Sequence, residues 1–284
     1  MKEIQFQNLS DISNQEIVDC FNTSFSDYVV PIELNLKQLE IKLYSENIDK
    51  FISVGAFSEN ELVGFILHGH RLIDGVRIAY NAGTGVIPRE RGHGLTKRMY
   101  AHIKSVLNTK GIAKVVLEVI STNIPAIASY EKIGFKNVRY LSCLKGVPKI
   151  PKINTEITTT EVEQASLSDY IDFGNIKPTW QNTTATIERL GDAIFFIIAS
   201  IASEVCGYCI VNRTTNRILQ LAVKKDFRNK GVGTTLLNYL KNRAQGPISI
   251  INIDDRFTDT LRFFERRHIK KTLGQIEMEL ELEP

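Results

Sequence analysis

Residues 84–96 read Thr-Gly-Val-Ile-Pro-Arg-Glu-Arg-Gly-His-Gly-Leu-Thr, and the apolar residues beyond them, Met99, Ile103 and Leu107, recur at helical spacing. The stretch predicts a strand, a tight glycine turn and a helix. Such a turn aims several backbone N–H groups at one point, because the first turn of a helix offers them no intrahelical acceptor. The helix dipole adds to that field, so the point favours an anion, phosphate above all. Gly92 and Gly94 carry no Cβ and let an anion approach the backbone. By itself the stretch is equally a plain structural turn, since glycine turns before helices are common.

Two further observations shift that balance. A second copy, Val223-Lys-Lys-Asp-Phe-Arg-Asn-Lys-Gly-Val-Gly233, keeps the Val-to-Arg spacing and again opens an apolar helix through Val232, Leu236, Leu237 and Leu240. Each copy is followed, after one helix and one strand, by an aromatic–Glu–basic segment: Tyr130-Glu-Lys-Ile-Gly-Phe135 and Phe264-Glu-Arg-Arg-His-Ile269. Together these motifs resemble the GNAT superfamily of N-acetyltransferases, twice in one chain. The first match is the more specific: V-x-P-x-x-R-G-x-G-L, then L-E-V-x-x-x-N, then Y-E-K-x-G-F. The register Arg91-x-x-Gly94-x-Thr96 keeps the Val-x-Pro spacing and agrees with the second copy, whereas Arg89-x-x-Gly92-x-Gly94 also fits the loop pattern. Thr96 stands where the family usually has Gly or Ala.

The resemblance implies a fold and a chemistry. The fold is α/β, a mixed and mainly antiparallel sheet flanked by helices, present as two tandem copies. The turn Arg91, Gly92, His93, Gly94, Leu95 and Thr96 would hold the pyrophosphate of acetyl-CoA. The strand end Thr84, Gly85 and Val86 would splay from its neighbour and pair with the pantetheine arm, and Asn123 would bond the pantetheine amide. Segment 117–135 is similar to that of the ribosomal-protein alanine N-acetyltransferases, where the Glu of L-E-V is the base and the Tyr the acid. That assigns Glu118 and Tyr130. A carboxylate at a strand end could take the ammonium proton directly or through water, and a phenol could return one to the leaving thiolate. Peptide N–H groups along the strand could polarise the thioester carbonyl. The implied reaction is direct attack in a ternary complex, with no covalent enzyme intermediate and no metal.

Phe25, Asp27 and Tyr28 fall between the first two helices, which line the acceptor site in this family. An acidic, aromatic lining would suit a cationic amine. His68 and His70 share one face of a strand, but no third metal ligand is evident, and ordinary surface or pocket histidines fit better. His93 reads as a loop residue, and Lys97 and Arg98 either meet CoA phosphates or face solvent.

The length, 284 residues, suits two medium domains, expected at 1–147 and 153–284 with the Pro-Lys-Ile-Pro-Lys stretch 148–152 as linker. A repeat of this length is a duplicated domain rather than a solenoid unit. The formal charge of +3 gives no reason to expect a nucleic acid or membrane partner. No apolar run is long enough for a span, and the N-terminus lacks a signal peptide's apolar core. Four cysteines without a disulfide framework suggest a reducing, cytoplasmic setting. In chain order the first domain predicts a strand at 2–8 and a helix capped by Ser13 and Glu16. A helix at 36–44, strands at 51–57 and 62–70 and a hairpin at Asp74-Gly75 follow. After the turn and its helix come a strand at 114–120, a helix at 125–132 and a closing strand at 138–144. The second domain predicts a strand at 156–162, helices at 167–173 and 183–190, a hairpin at 193–212 and a strand at 217–223. Beyond its turn it closes with strands at 248–253 and 276–282 around a helix at 259–267.

Setting Tyr130 against Phe264 places Glu118 opposite Asn252 and Asn123 opposite Phe257. The second copy keeps a turn (Val223, Arg228, Asn229, Lys230, Gly231, Val232, Gly233) but lacks both proton-transfer residues, since Phe cannot donate a proton and Asn is no base. It is expected to bind CoA weakly or not at all. Cys206 and Cys209 have the redox spacing but align with a strand interior, where residues three apart point to opposite faces. The expected function is therefore acetyl transfer from acetyl-CoA to a primary amine of a small molecule or a peptide N-terminus. A non-catalytic acyl-CoA sensor or scaffold is the rival. The acceptor and the oligomeric state are not legible.

Overall fold

The computed structural model describes residues 3–28, 30–163, 165–166, 173–174 and 176–282. The chain forms two compact units, residues 1–138 with 276–284, and residues 139–275. In the first, β1 (Ile4–Asn8) is followed by α1 (Asn14–Phe25), α2 (Leu36–Ser45), β2 (Val54–Ser58), β3 (Glu61–Ile73) and β4 (Val76–Val86). Then come α3 (Leu95–Thr109), β5 (Lys114–Ile120), α4 (Ile124–Glu131) and β6 (Lys136–Gly146). The second half contains β7 (Ile157–Val162), α5 (Thr184–Leu190), β8 (Ile194–Ile201), β9 (Glu204–Asn212), β10 (Arg217–Val223), α6 (Val232–Arg243), β11 (Ile248–Asp254), α7 (Thr258–Glu265) and β12 (Lys270–Glu281). The expected helix at 167–173 lies, for residues 167–172, outside the described residues.

Local chemistry accounts for most of these boundaries. Ser13 and Glu16 form the expected capping box of α1, and Asn35 and Gln38 form one on α2. The hairpin turns Glu59-Asn60, Asp74-Gly75 and Ala202-Ser203 all carry positive φ at both central residues, the geometry that matches the twist of paired strands.

The strand order in the first unit is β1-β2-β3-β4-β5-β12, and in the second β6-β11-β10-β9-β8-β7. Neighbouring strands run antiparallel from β1 to β4, from β7 to β10 and between β6 and β11, and parallel where β4 meets β5 and β10 meets β11. The core of the first unit packs α1 and α3 on the sheet through Ile17, Phe21, Phe65, Met99, Ile103, Leu107 and Leu117. That of the second packs α6 through Leu236, Leu237 and Leu240.

The expected boundaries at 1–147, 148–152 and 153–284 are corrected by the last strand of each half. Residues 139–146 of β6 belong to the second unit, where Leu141 to Gly146 pair with β11, and the second half of β12 belongs to the first. The reason is burial: Ile276, Met278 and Leu282 are sealed in the core of the first unit, and Leu144 in that of the second. Residues 148–152 are no free linker, because Lys149 donates to the Arg267 carbonyl and Ile150 packs on the second core. Among the described residues no helix is long and apolar enough to cross a membrane.

Candidate active site

The turn after β4 has the expected form. Residues 88–90 make one 3-10 turn, Gly92 and Gly94 adopt φ of 80° and 67°, and α3 starts at Leu95. The N–H of Arg98 donates to the Gly94 carbonyl, so the N–H groups of Leu95, Thr96 and Lys97 precede the helical ladder. A Cβ at Gly92 or Gly94 would meet nothing within 4 Å. Their glycines answer the backbone conformation, and the space above them is open. Leu95 is buried under the turn, and Thr96 is half-buried.

Strands β4 and β5 part company just behind this turn. They pair only from Ile78 with Lys114 to Tyr80 with Val116. Beyond that, residues 81–86 and 117–120 diverge into a V. A bulge at Ala82, where the partners jump from Leu67–Gly83 to His68–Asn81, turns β4 away. The open backbone of Thr84, Gly85 and Val86 lies along this V. Gly85 has a packing reason as well, because a Cβ there would stand 2.5 Å from the Phe65 ring and 2.8 Å from Ser24 Cβ.

Two polar groups converge at the V. Tyr130, on α4, is 9% exposed; its hydroxyl bonds Thr84 and Asn81, and burial pushes its pKa up, so it remains a proton donor. Asn81 fixes this cluster: its amide donates to Thr84 Oγ1 at 2.8 Å and to the Tyr100 hydroxyl at 2.9 Å. On the opposite limb Glu118 accepts a 2.6 Å hydrogen bond from Tyr80, a buried phenol held protonated by its burial and by the Glu118 charge. Tyr80, Asn81 and Tyr100 were not singled out in the sequence. The bulge that brings Asn81 to the V was not readable from alternation, though its polar side chain within an apolar strand was a visible signal.

Other expected residues have structural duties. The Arg91 side chain is engaged by the end of α1 and by β4. It donates to the carbonyls of Val86 and Ser24 and makes a bidentate pair with Asp27 at 2.7 and 2.8 Å, fastening the end of α1 to the turn. Asp27 is thereby engaged with Arg91 rather than presented alone to an acceptor, and its carboxyl is held below its ordinary range by that hydrogen bond. Phe25 packs edge-on to Tyr28 at 5.1 Å and against Phe21, and Tyr28 lies 3.4 Å from the Asn123 amide. Asn123 caps α4 by accepting from the Ala126 N–H. His93 stays a loop residue near the Glu90 carbonyl, and Arg98 lies over Phe6. His68 is wholly buried against the Ile52 carbonyl, and burial lowers its pKa to about 4, while His70 sits 3.8 Å from Asp49. Among the described residues no group of three or more His, Cys, Asp or Glu is placed to hold a metal.

The second unit repeats the frame and fills it. Gly231 has φ of 94° ahead of α6, β10 pairs with β11 only at Arg217–Ser249 and Ile218–Ile250, and a bulge at Leu219 matches that at Ala82. Arg228 repeats the Arg91 fastening through the carbonyls of Val223 and Phe173. The register corrects the expected equivalence of Glu118 with Asn252. Matching Tyr80–Val116 to Arg217–Ser249 sets Ile251 at the Glu118 position, and Asn252, with φ of 62°, is an extra bulge residue. The V here holds the chain's own segment 179–182. Asn182 donates to the Ile251 carbonyl and accepts from Gln220 at 2.7 Å, Thr179 accepts from Asn252, and Thr179, Trp180 and Asn182 are buried. Asn154 bonds the Lys230 carbonyl, and a Cβ on Gly231 would stand 3.3 Å from it. Val232 and Gly233 are buried. Lys230 lies over Phe227, and Asn229 adopts φ of 63° in the turn. Cys206 and Cys209 lie inside β9 as buried thiols, as expected.

Comparison with known proteins agrees with this geometry. Residues 14–135 match the profile of the acetyltransferase (GNAT) family, and residues 192–268 that of a GNAT acetyltransferase domain. Among solved structures, a tandem GNAT protein from the clavulanic acid biosynthesis pathway superimposes with a TM-score of 0.76 at 12% identity, covering 99% of each chain. A GCN5-related N-acetyltransferase from Sphaerobacter thermophilus gives 0.73 at 14% identity over 99% of this chain and 96% of that one. Another from Anabaena variabilis gives 0.61 at 13% over 99% and 73%. At these identities the likeness is one of fold. A search of curated protein sequences found no match.

Proposed function

The chain belongs to the GNAT superfamily, with two domains of that fold in tandem, and on that premise we propose that its first unit acetylates a primary amine with acetyl-CoA by direct attack in a ternary complex. The observation that carries this reading is the V between β4 and β5, open beside Glu118 on one limb and Tyr130 on the other, behind an uncapped helix N-terminus.

The N–H groups of the turn and first helical turn would hold the pyrophosphate, the backbone of Thr84–Val86 the pantetheine, and Gly92 and Gly94 leave room for both. Acetyl-CoA supplies the activated acetyl group. Glu118 takes a proton from the acceptor amine as its nitrogen attacks. Tyr130, protonated because it is buried, gives its proton to the departing thiolate, and the Asn81–Thr84 bonds fix its hydroxyl. The second unit supports the first without taking acetyl-CoA: it has neither a carboxylate nor a phenol at the two positions, and segment 179–182 occupies its V. Buried free thiols fit a reducing, cytoplasmic setting.

The test separates chemistry from binding. Glu118→Gln and Tyr130→Phe should each lower kcat by about 10²–10³-fold while acetyl-CoA affinity stays within about threefold. No CoA release from the wild type with any amine in a broad panel would favour an acyl-CoA sensor instead.

A further inference from the structure

One arginine fastens the glycine turn in each unit. Arg91 donates from Nε to the Val86 carbonyl and from Nη2 to the Ser24 carbonyl. Arg228 donates in the same way to the carbonyls of Val223 and Phe173. Among the described residues, Arg91 alone adds a carboxylate: Asp27 takes both of its terminal nitrogens, at 2.7 and 2.8 Å. The carbonyl bonds are the shared fastening, and the carboxylate is what the first unit adds to it. An ion pair as exposed as this one adds little to stability, so its use lies in what it positions.

What it positions is the segment 24–28, which spans the open end of the V. At one end Ser24 packs on the β4 limb, where a Cβ on Gly85 would stand 2.8 Å from its own. The chain turns at the end of α1 as Ser26 N–H donates to the Thr23 carbonyl and Tyr28 N–H to the Phe25 carbonyl. At the other end the Tyr28 hydroxyl accepts from the Asn123 amide at 3.4 Å. Asn123 caps α4, three residues past the end of β5, so the segment reaches from one limb to the other. The Tyr28 ring stands edge-on to Phe25 at 5.1 Å, and its phenol is close enough to Tyr130 to act on it electrostatically. Asp27 lies between Phe25 and Tyr28, so its pair with Arg91 fixes the backbone that carries both rings.

We propose that Asp27 is a positioning residue: paired with Arg91, it holds the Tyr28 ring across the open end of the V, where the ring shields the acetyl thioester from water. Tyr28 thereby sets the preference of the site for an amine over solvent. Without the shield, water attacks the thioester carbonyl: a C–O bond forms and the C–S bond breaks. One proton of that water goes to the thiolate and the other to solvent, leaving acetate and free CoA. Closing a site against this side reaction is a general use of a segment that covers it.

This assignment rests on the acetyltransferase reading of the first V, and the experiment keeps the two apart. It needs no acceptor: CoA release from acetyl-CoA by the full chain is followed without amine, and acetyl-CoA binding is titrated in parallel. Binding also reports that each variant is folded. Asp27→Ala and Tyr28→Ala should each raise hydrolysis about tenfold over the wild type, with the acetyl-CoA Kd within about threefold. Asp27→Glu should bring the rate back to within about threefold of the wild type. The double variant should hydrolyse no faster than Tyr28→Ala alone, because Asp27 acts through Tyr28. Hydrolysis unchanged by either substitution, effects that multiply in the double variant, or a larger loss of acetyl-CoA affinity overturns the proposal. Failure of the wild type to bind acetyl-CoA overturns the enzyme reading instead.

Discussion

His68 is enclosed on every side, with Nδ1 on the Ile52 carbonyl and its ring edge-on to Tyr100. Burial holds its pKa at about 4, against an ordinary 6.5. Between these values the unfolded chain binds a proton that the folded one refuses, so stability falls as pH drops from about 6.5 to 4. The full difference, on the order of 3 kcal/mol, is reached below the folded value. Urea unfolding at pH 7 and pH 4.5 should show that loss, and His68→Gln should show less of it. A pH dependence unchanged by the substitution would place the acid sensitivity elsewhere. His68 also marks what the sequence withholds at this scale. Periodicity put His68 and His70 on one face, but depth within the sheet, not spacing, separates a sealed imidazole from a half-exposed one. That Tyr130 and Glu118 lie beside the V follows motifs dense enough to point there. Tyr80 and Asn81 were not legible, because they act through a strand bulge and a cross-strand hydrogen bond.

At the scale of elements the glycine turns were fully legible, and their surroundings were not. Gly94 and Gly231 hold the same left-handed cap, but the first opens to empty space and the second faces Asn154. The V behind the first is open backbone; the V behind the second contains residues 179–182, which no alignment of motifs would place there. Calorimetric titration with acetyl-CoA should therefore give one site per chain. Gly94→Val should abolish it, since a β-branched residue is strained at φ of 67° and its side chain projects into the cradle. Gly231→Val should leave the stoichiometry at one, whatever it does to stability. Two sites in the wild type would mean that segment 179–182 yields to the ligand and that the second unit is functional.

At the scale of the molecule the duplication was legible and the exchange of last strands was not. The pattern of β6 and β12 is the same whichever sheet each joins, and a sequence repeat cannot say which copy's edge a strand completes. The exchange has a direct consequence for dissection. A chain ending at residue 147 carries every motif of the first unit but lacks Ile276, Met278 and Leu282, which are at most 7% exposed in its core. Burying three such side chains contributes about 5–9 kcal/mol, comparable with the whole stability of a domain. The edge of β5 would also be left unpaired. Residues 1–147 alone should therefore aggregate or unfold and bind no acetyl-CoA. Residues 1–138 joined through a short flexible linker to 276–284 should fold, with cooperative thermal unfolding and acetyl-CoA affinity near that of the full chain. If 1–147 folds and the joined fragment does not, β6 can serve the first sheet, and the assignment of β12 to it is wrong.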